Sequence, residues 1–136
     1  LQVGEIRIIN DCYNSNPESA KYALATLSRM HISNKRIAVL SDMLELGDIS
    51  EKEHTKIGEY VKGLKNIDYL LTYGKFSQYT AAAAKEAGMA HVYHFEDKKE
   101  LTNYLKNILE SNDLILIKGS RGMAMEEVTG EIVKHN

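Results

Sequence analysis

Ile8-Ile9-Asn10-Asp11-Cys12-Tyr13-Asn14-Ser15-Asn16-Pro17-Glu18-Ser19 passes from an apolar β-run through a dense polar loop into the start of a helix. Asn16 can cap that helix through its side-chain oxygen, and Pro17 suits the first helical position, where its missing N–H forfeits no bond. A strand that restarts as a helix after a polar loop is the repeating step of an α/β fold. The cap leaves Asn10, Asp11, Tyr13 and Asn14 unexplained, since any short turn would join the two elements. That excess of hydrogen-bonding groups marks the loop as ligand-facing.

The same step recurs on both sides. Glu5 to Asn10 reads as the strand, and Pro17 to about His31 as the helix, with Ala20, Ala23, Leu24, Leu27 and Met30 on one face. Arg36-Ile37-Ala38-Val39-Leu40 is a short buried-strand run. After a loop, Ser50 with Glu53 forms a capping box for a helix whose apolar side holds Ile57, Tyr60, Val61 and Leu64. A third strand runs from Ile67 to Tyr73, followed by an Ala-rich helix from about Ser77 to Ala87, stopped by Gly88. His91 to Phe95 is a shorter strand, Asp97 with Glu100 caps the helix carrying Leu101, Tyr104, Leu105, Ile108 and Leu109, and Asp113 to Ile117 is the most hydrophobic strand. A last helix begins near Met123 and buries Met125, Val128 and Ile132.

Short strands alternating with helices require right-handed crossovers and a parallel sheet covered on both faces. The expected fold is α/β: a doubly wound, Rossmann-like three-layer sandwich with a mostly parallel sheet. The Gly4 turn adds an antiparallel edge strand near the N-terminus. At 136 residues and 43% hydrophobic composition the chain suits one domain, residues 1–136. A formal charge of -2 argues against nucleic acid and membrane surfaces as partners. No apolar run approaches the roughly 18 residues that span a bilayer. The single Cys12 has no disulfide partner, which suits a cytoplasmic setting. Leu1-Gln2-Val3-Gly4-Glu5 starts without a lead-in and reads as a piece of a longer protein.

In such folds ligands sit beyond the carboxyl ends of the parallel strands. Three unusual segments fall there: Asn10 to Asn16, Ser41 to Asp48, and Lys118 to Met123. Asp11 at a strand end can accept hydrogen bonds from vicinal ribose hydroxyls, or merely cap a turn. Lys118-Gly119-Ser120-Arg121-Gly122, read as leading straight into a helix N-terminus, outlines an anion site; the alternative is a loosened turn with a solvated Arg121. Asp42 and Glu45 around Met43-Leu44 suit a lid or a substrate wall better than acid–base work. Cys12 lacks a suitably placed histidine for nucleophilic chemistry. His31, His91, His94 and His135 show no metal-ligand spacing, while His54 is either a helix-surface residue or folded back on the Asp42 loop. Tyr13 either stacks on a base or covers the sheet edge.

The sequence holds neither a Walker-type phosphate loop nor G-x-G-x-x-G. A receiver-type phosphorylation domain fails on its third strand, which ends Leu71-Thr72-Tyr73 without an aspartate. Asn10 to Pro17, Val39 to Gly47 and Lys118 to Glu126, in this order and spacing, resemble the signature segments of the C-terminal domain of the Mur ligases. The resemblance covers essentially the whole chain. Asp42-Met43-Leu44-Glu45-Leu46-Gly47 together with Gly119-Ser120-Arg121 is most similar to the branch that acts on D-alanyl-D-alanine. Other Mur-type ligases and folylpolyglutamate synthase share the polar loop and the fold.

The resemblance implies an ATP-dependent amide ligase of peptidoglycan synthesis that joins D-alanyl-D-alanine to UDP-N-acetylmuramoyl-tripeptide through an acyl phosphate. ATP phosphates and Mg2+ would be held by a central domain absent from this chain, leaving no catalytic or metal-binding residue here. The N-terminal and central domains of the same chain would be its partners, in a monomer that inserts in no membrane. Asp11, Tyr13 and Asn14 match nucleotide-facing positions. Ser15, Asn16, Asp42, Met43, Leu44, Glu45, Ser120 and Arg121 match substrate-facing ones, with Ser120 and Arg121 toward the dipeptide carboxylate. Departures are Asn10 where Asp is frequent, Ser15 for Ala, Ser41 for Gly, and Ala124 for a basic residue. A stand-alone module binding a nucleoside or small acid is the reading from another class.

Overall fold

The computed structural model, which describes residues 1–135, puts the most apolar strand, Leu114–Lys118, inside the sheet with a strand on either side. The side chain of His135, and Asn136, lie outside the described residues. The elements are β1 (Gln2–Val3), β2 (Ile6–Asp11), α1 (Pro17–Arg29), β3 (Arg36–Ser41), α2 (Ser50–Leu64), β4 (Tyr69–Tyr73), α3 (Ser77–Glu86), β5 (Val92–Phe95), α4 (Lys98–Ile108), β6 (Leu114–Lys118) and α5 (Glu126–His135). The sheet order is β1-β2-β6-β3-β4-β5. β1 pairs antiparallel to β2 across Gly4, whose φ of 61° favours glycine, and every other pairing is parallel.

Side-chain alternation along the strands builds two cores. Ala38, Leu40, Leu70, Leu114 and Leu116 face α1, α2 and α3, while Ile8, Ile37, Val39, Leu71, Ile115 and Ile117 face α4 and α5. Leu114 to Ile117 are wholly inaccessible, and burial of each such side chain contributes about 1.5–3 kcal/mol. The doubly wound sandwich with an antiparallel edge is therefore the observed architecture. α2 lies so close to α3 that a Cβ on Gly58 would stand 2.2 Å from the Thr80 carbonyl oxygen.

Two helix starts differ from the sequence reading. Ser50 is no N-cap: a 3-10 turn, Gly47–Ile49, feeds directly into α2, and the Ser50 N–H is already bonded to the Gly47 carbonyl. Its hydroxyl turns inward, 3.4 Å from His54 Nδ1, and Glu53 pairs with Lys56 instead. The last helix does not begin near Met123. Arg121–Met123 forms a separate 3-10 turn, Ala124 reverses the chain at φ 51°, and α5 starts at Glu126. By contrast, Asn16 and Ser19 form a full capping box on α1, and Asp97 accepts from the Lys99 N–H at the start of α4.

Candidate functional site

β2, β6 and β3 are adjacent and end together at Asp11, Lys118 and Ser41. Asp11 pairs in register with Lys118, and Lys118 with Leu40. The chain leaves β2 and β3 toward the α1–α2–α3 face and leaves β6 toward α5 on the other, which opens a crevice at the end of β6. This divergence is where open parallel sheets bind ligands.

Most of the polar groups in the first loop hold the loop itself. Asn10 Oδ1 accepts from Thr129 Oγ1 of α5 at 2.8 Å and from the Cys12 thiol at 2.9 Å. Burial, with the nearby Glu126 charge, pushes the Cys12 thiol up to about 11, so it is no thiolate nucleophile at neutral pH. Asp11 Oδ2 is 2.8 Å from Lys118 Nζ, and the same ammonium donates to the Asn14 carbonyl at 2.8 Å. Lys118 is 1% exposed, whereas the Asp11 side chain is 40% exposed. Ser15 is buried, and Asn16 is spent on its cap. Tyr13 and the Asn14 side chain face outward, with the Arg121 guanidinium 5.2 Å from the Tyr13 ring centroid.

The loop after β3 turns its first residues inward. The buried Asp42 carboxylate accepts from the Phe76 and Ser77 N–H groups and from Ser77 Oγ, at 2.8–3.1 Å. It thereby caps α3, which has no capping side chain of its own. Gly74 makes room for it, since a Cβ there would come within 2.5 Å of Asp42 Oδ1. Met43 is buried, and its N–H donates to His54 Nε2 at 3.0 Å, while Nδ1 lies 2.7 Å from the Ser50 carbonyl. Those partners assign the His54 proton to Nδ1, and burial lowers its pKa. His54 is thus folded back on the Asp42 loop. Leu44 is half-buried, and Glu45, at φ 67°, points outward.

Ser120 ties the two loops together. Its buried hydroxyl donates to the Ser15 carbonyl at 3.3 Å and accepts from the Leu44 N–H at 2.8 Å. Its own N–H donates to the Asp42 carbonyl at 3.2 Å. The anion site outlined by the sequence therefore does not stand at a long helix's N-terminus, because α5 starts beyond the 3-10 turn and opens with Glu126 and Glu127. What remains of it is Arg121, exposed beside Tyr13. Ser41, one of the departures noted above, packs its hydroxyl into the space left by Gly119, where a Cβ would stand 1.8 Å away. That hydroxyl is buried without a hydrogen-bond partner among the described residues.

The exposed groups brought together at this edge are Asp11, Tyr13, Asn14 and Arg121, with Leu44 and Glu45 beside them. Asp42, Met43, Ser15 and Ser120 lie behind them as scaffold. Lys118 and His54 are the residues that sequence reasoning undervalued. A lysine ending a strand of buried aliphatics was the available signal for the first, and the second had only its helix position beside the loop. Among the described residues no three His, Cys, Asp or Glu side chains converge in an arrangement that could hold a metal ion. Two hollows, one by Arg7 and one between α4 and α5, are lined by none of the site residues, and the exposure of Tyr13, Asn14 and Arg121 makes the candidate site an open edge.

Residues 1–121 match the family described as Mur ligase, glutamate ligase domain. The UDP-N-acetylmuramoyl-tripeptide--D-alanyl-D-alanine ligase of Bacillus subtilis (strain 168) is 38% identical over 130 residues, covering 95% of this chain and 28% of that protein. Its namesake from Escherichia coli (strain K12) is 38% identical over 131 residues, covering 94% of this chain and 27% of the relative. A crystal structure of MurF from Acinetobacter baumannii superposes with a TM-score of 0.81 at 26% identity, over 98% of this chain and 29% of that one. MurF ligase from Thermotoga maritima, in complex with ADP, gives the same TM-score of 0.81 at 22% identity and so shows the fold alone. The chain spans under a third of the length of these relatives. It belongs to the Mur ligase family, as a C-terminal domain of the glutamate ligase type.

Proposed function

We propose that this chain is the closing domain of an ATP-dependent ligase that adds D-alanyl-D-alanine to UDP-N-acetylmuramoyl-tripeptide. The observation that carries the reading is the meeting of Asp11, Tyr13 and Arg121 at one open sheet edge, in a chain 38% identical to two ligases of that name. Asp11 Oδ2 is turned to Lys118, and the half-exposed carboxylate remains available to ribose hydroxyls, with Tyr13 and Asn14 alongside the nucleotide. Arg121 offers the dipeptide carboxylate a planar, permanently charged fork. Leu44 and Glu45 wall the dipeptide from the side, while Ser15, Asn16, Asp42, Met43 and Ser120 shape that wall from behind.

Mg2+ and the phosphates belong to the central domain in this reading. An open edge suits such a division, because closure against another domain completes the constellation and excludes water. The work is cytoplasmic, where UDP-linked precursors and ATP meet. No helix of the described chain is long and apolar enough to cross a membrane.

The test is Arg121→Ala in the full-length enzyme. Loss of a charge-assisted contact to the dipeptide carboxylate should raise the KM for D-alanyl-D-alanine about tenfold or more, with the KM for ATP little changed. An unchanged KM for the dipeptide overturns the assignment of Arg121.

A further inference from the structure

We infer that Lys118 is a positioning residue for the nucleotide end of the site, holding Asp11 and the Asn14 backbone where the ribose is received. The inference rests on the reading of Asp11 as the ribose contact.

Lys118 continues the β6 row of Leu114 and Leu116, and is as inaccessible as they are, with 1% exposure. An apolar side chain would finish that row at no electrostatic cost, whereas taking an ammonium out of water costs several kcal/mol. The ammonium recovers that cost through two contacts of 2.8 Å, and both lie in the loop after β2. One is Oδ2 of Asp11, which fixes the rotation of the carboxylate at the mouth of the crevice. The other is the carbonyl of Asn14, which fixes the turn carrying Tyr13. Ser120, two residues further along the same strand exit, holds the next carbonyl, that of Ser15. β6 therefore grips consecutive peptide groups of a loop whose side chains at Tyr13 and Asn14 are exposed. Replacing the buried ammonium by an apolar side chain removes its desolvation cost, and the Asp11 carboxylate left behind, 40% exposed, stays in contact with water. A purely structural lysine would leave function unmoved under such a change, and a positioning lysine would not.

The experiment uses the full-length ligase and measures kcat and KM for ATP and for 2′-deoxy-ATP, with the melting temperature as a folding control. Asp11→Ala should bring the two nucleotides' KM values together. Lys118→Met should keep the melting temperature near wild type yet raise the KM for ATP about tenfold, close to that of Asp11→Ala, and leave the KM for D-alanyl-D-alanine within twofold. The double variant should fall well short of the product of the two single effects, because both changes act on the Lys118–Asp11 contact. Lys118→Gln serves if the methionine variant does not fold, and should lose the same preference for ATP. If Asp11→Ala abolishes the preference while the Lys118 variants retain it, the positioning role falls and the ribose reading stands. If Asp11→Ala itself retains the preference, the ribose reading falls and takes the positioning role with it.

Discussion

His54 accepts a hydrogen bond from Met43 through the nitrogen that a second proton would occupy, and it is buried against Phe76. Burial holds its folded pKa below the 6.5 of the unfolded chain. The unfolded state therefore binds the extra proton first, so His54's contribution to stability is complete above about pH 6.5 and declines as the pH falls from there through the folded pKa. Urea titrations between neutral pH and mildly acid pH should show the midpoint falling with pH. His54→Leu should be less stable at neutral pH by about 1–3 kcal/mol, because the Met43 N–H loses its acceptor, and should show a shallower pH slope. Part of the slope should survive in that variant, since burial also lowers the pKa of His94. An unaltered slope would show that His54 titrates alike in both states. At this scale the sequence distinguishes poorly between a polar group aimed at a ligand and one aimed at its own backbone. Asn10, Asp42 and Ser120 stand in the segments that carry the family resemblance, yet their partners are Thr129, the start of α3 and the carbonyl of Ser15. Nothing local to a residue announces a partner that lies 35 or 105 positions away in the chain.

Helices and strands were far more legible, because their signals are local. The apolar faces of α1, α4 and α5 can be read from three- and four-residue spacing, and their periodic residues Leu24, Leu27, Leu101, Leu105, Val128 and Ile132 are all wholly inaccessible. The capping box expected at Ser50 failed for a physical reason: the preceding 3-10 turn had already met the Ser50 N–H, the donor that the Glu53 side chain would serve. α3 shows the converse, a helix without a local start signal whose cap arrives from the loop after β3. Gly58 is the point where α2 meets the backbone of α3. Gly58→Ala adds a helix-favouring residue and should nonetheless destabilise, because its methyl would stand 2.2 Å from the Thr80 oxygen. Overpacking of this kind costs about 1–3 kcal/mol, visible as a lower urea midpoint. A midpoint at or above wild type would mean that the two helices separate without cost.

For the molecule as a whole, the proposed function makes the open sheet edge one half of a constellation. Given the full-length ligase's substrates, this chain alone should release no phosphate and form no amide bond above background; measurable turnover would overturn the proposed division of labour. The sheet order was the least legible property of all. Alternating strands and helices specify crossovers without saying that the strand nearest the C-terminus enters between β2 and β3. That placement has a consequence for how the chain comes into being. Until Leu114–Lys118 has been synthesised, β2 and β3 share no neighbour, and the native pairings open to the nascent polypeptide are those of a β1–β2 ribbon and of a separate β3–β4–β5 sheet. β2 then presents an unpaired edge carrying Ile6, Ile8 and Ile9, and β3 one carrying Ile37, Val39 and Leu40, the kind of surface that invites association with other chains during translation. Completing the sheet then takes an insertion, and the strand that seals it carries Lys118, with Ser120 just behind it. A chain interrupted before that strand should therefore lack the organised crevice along with the finished fold.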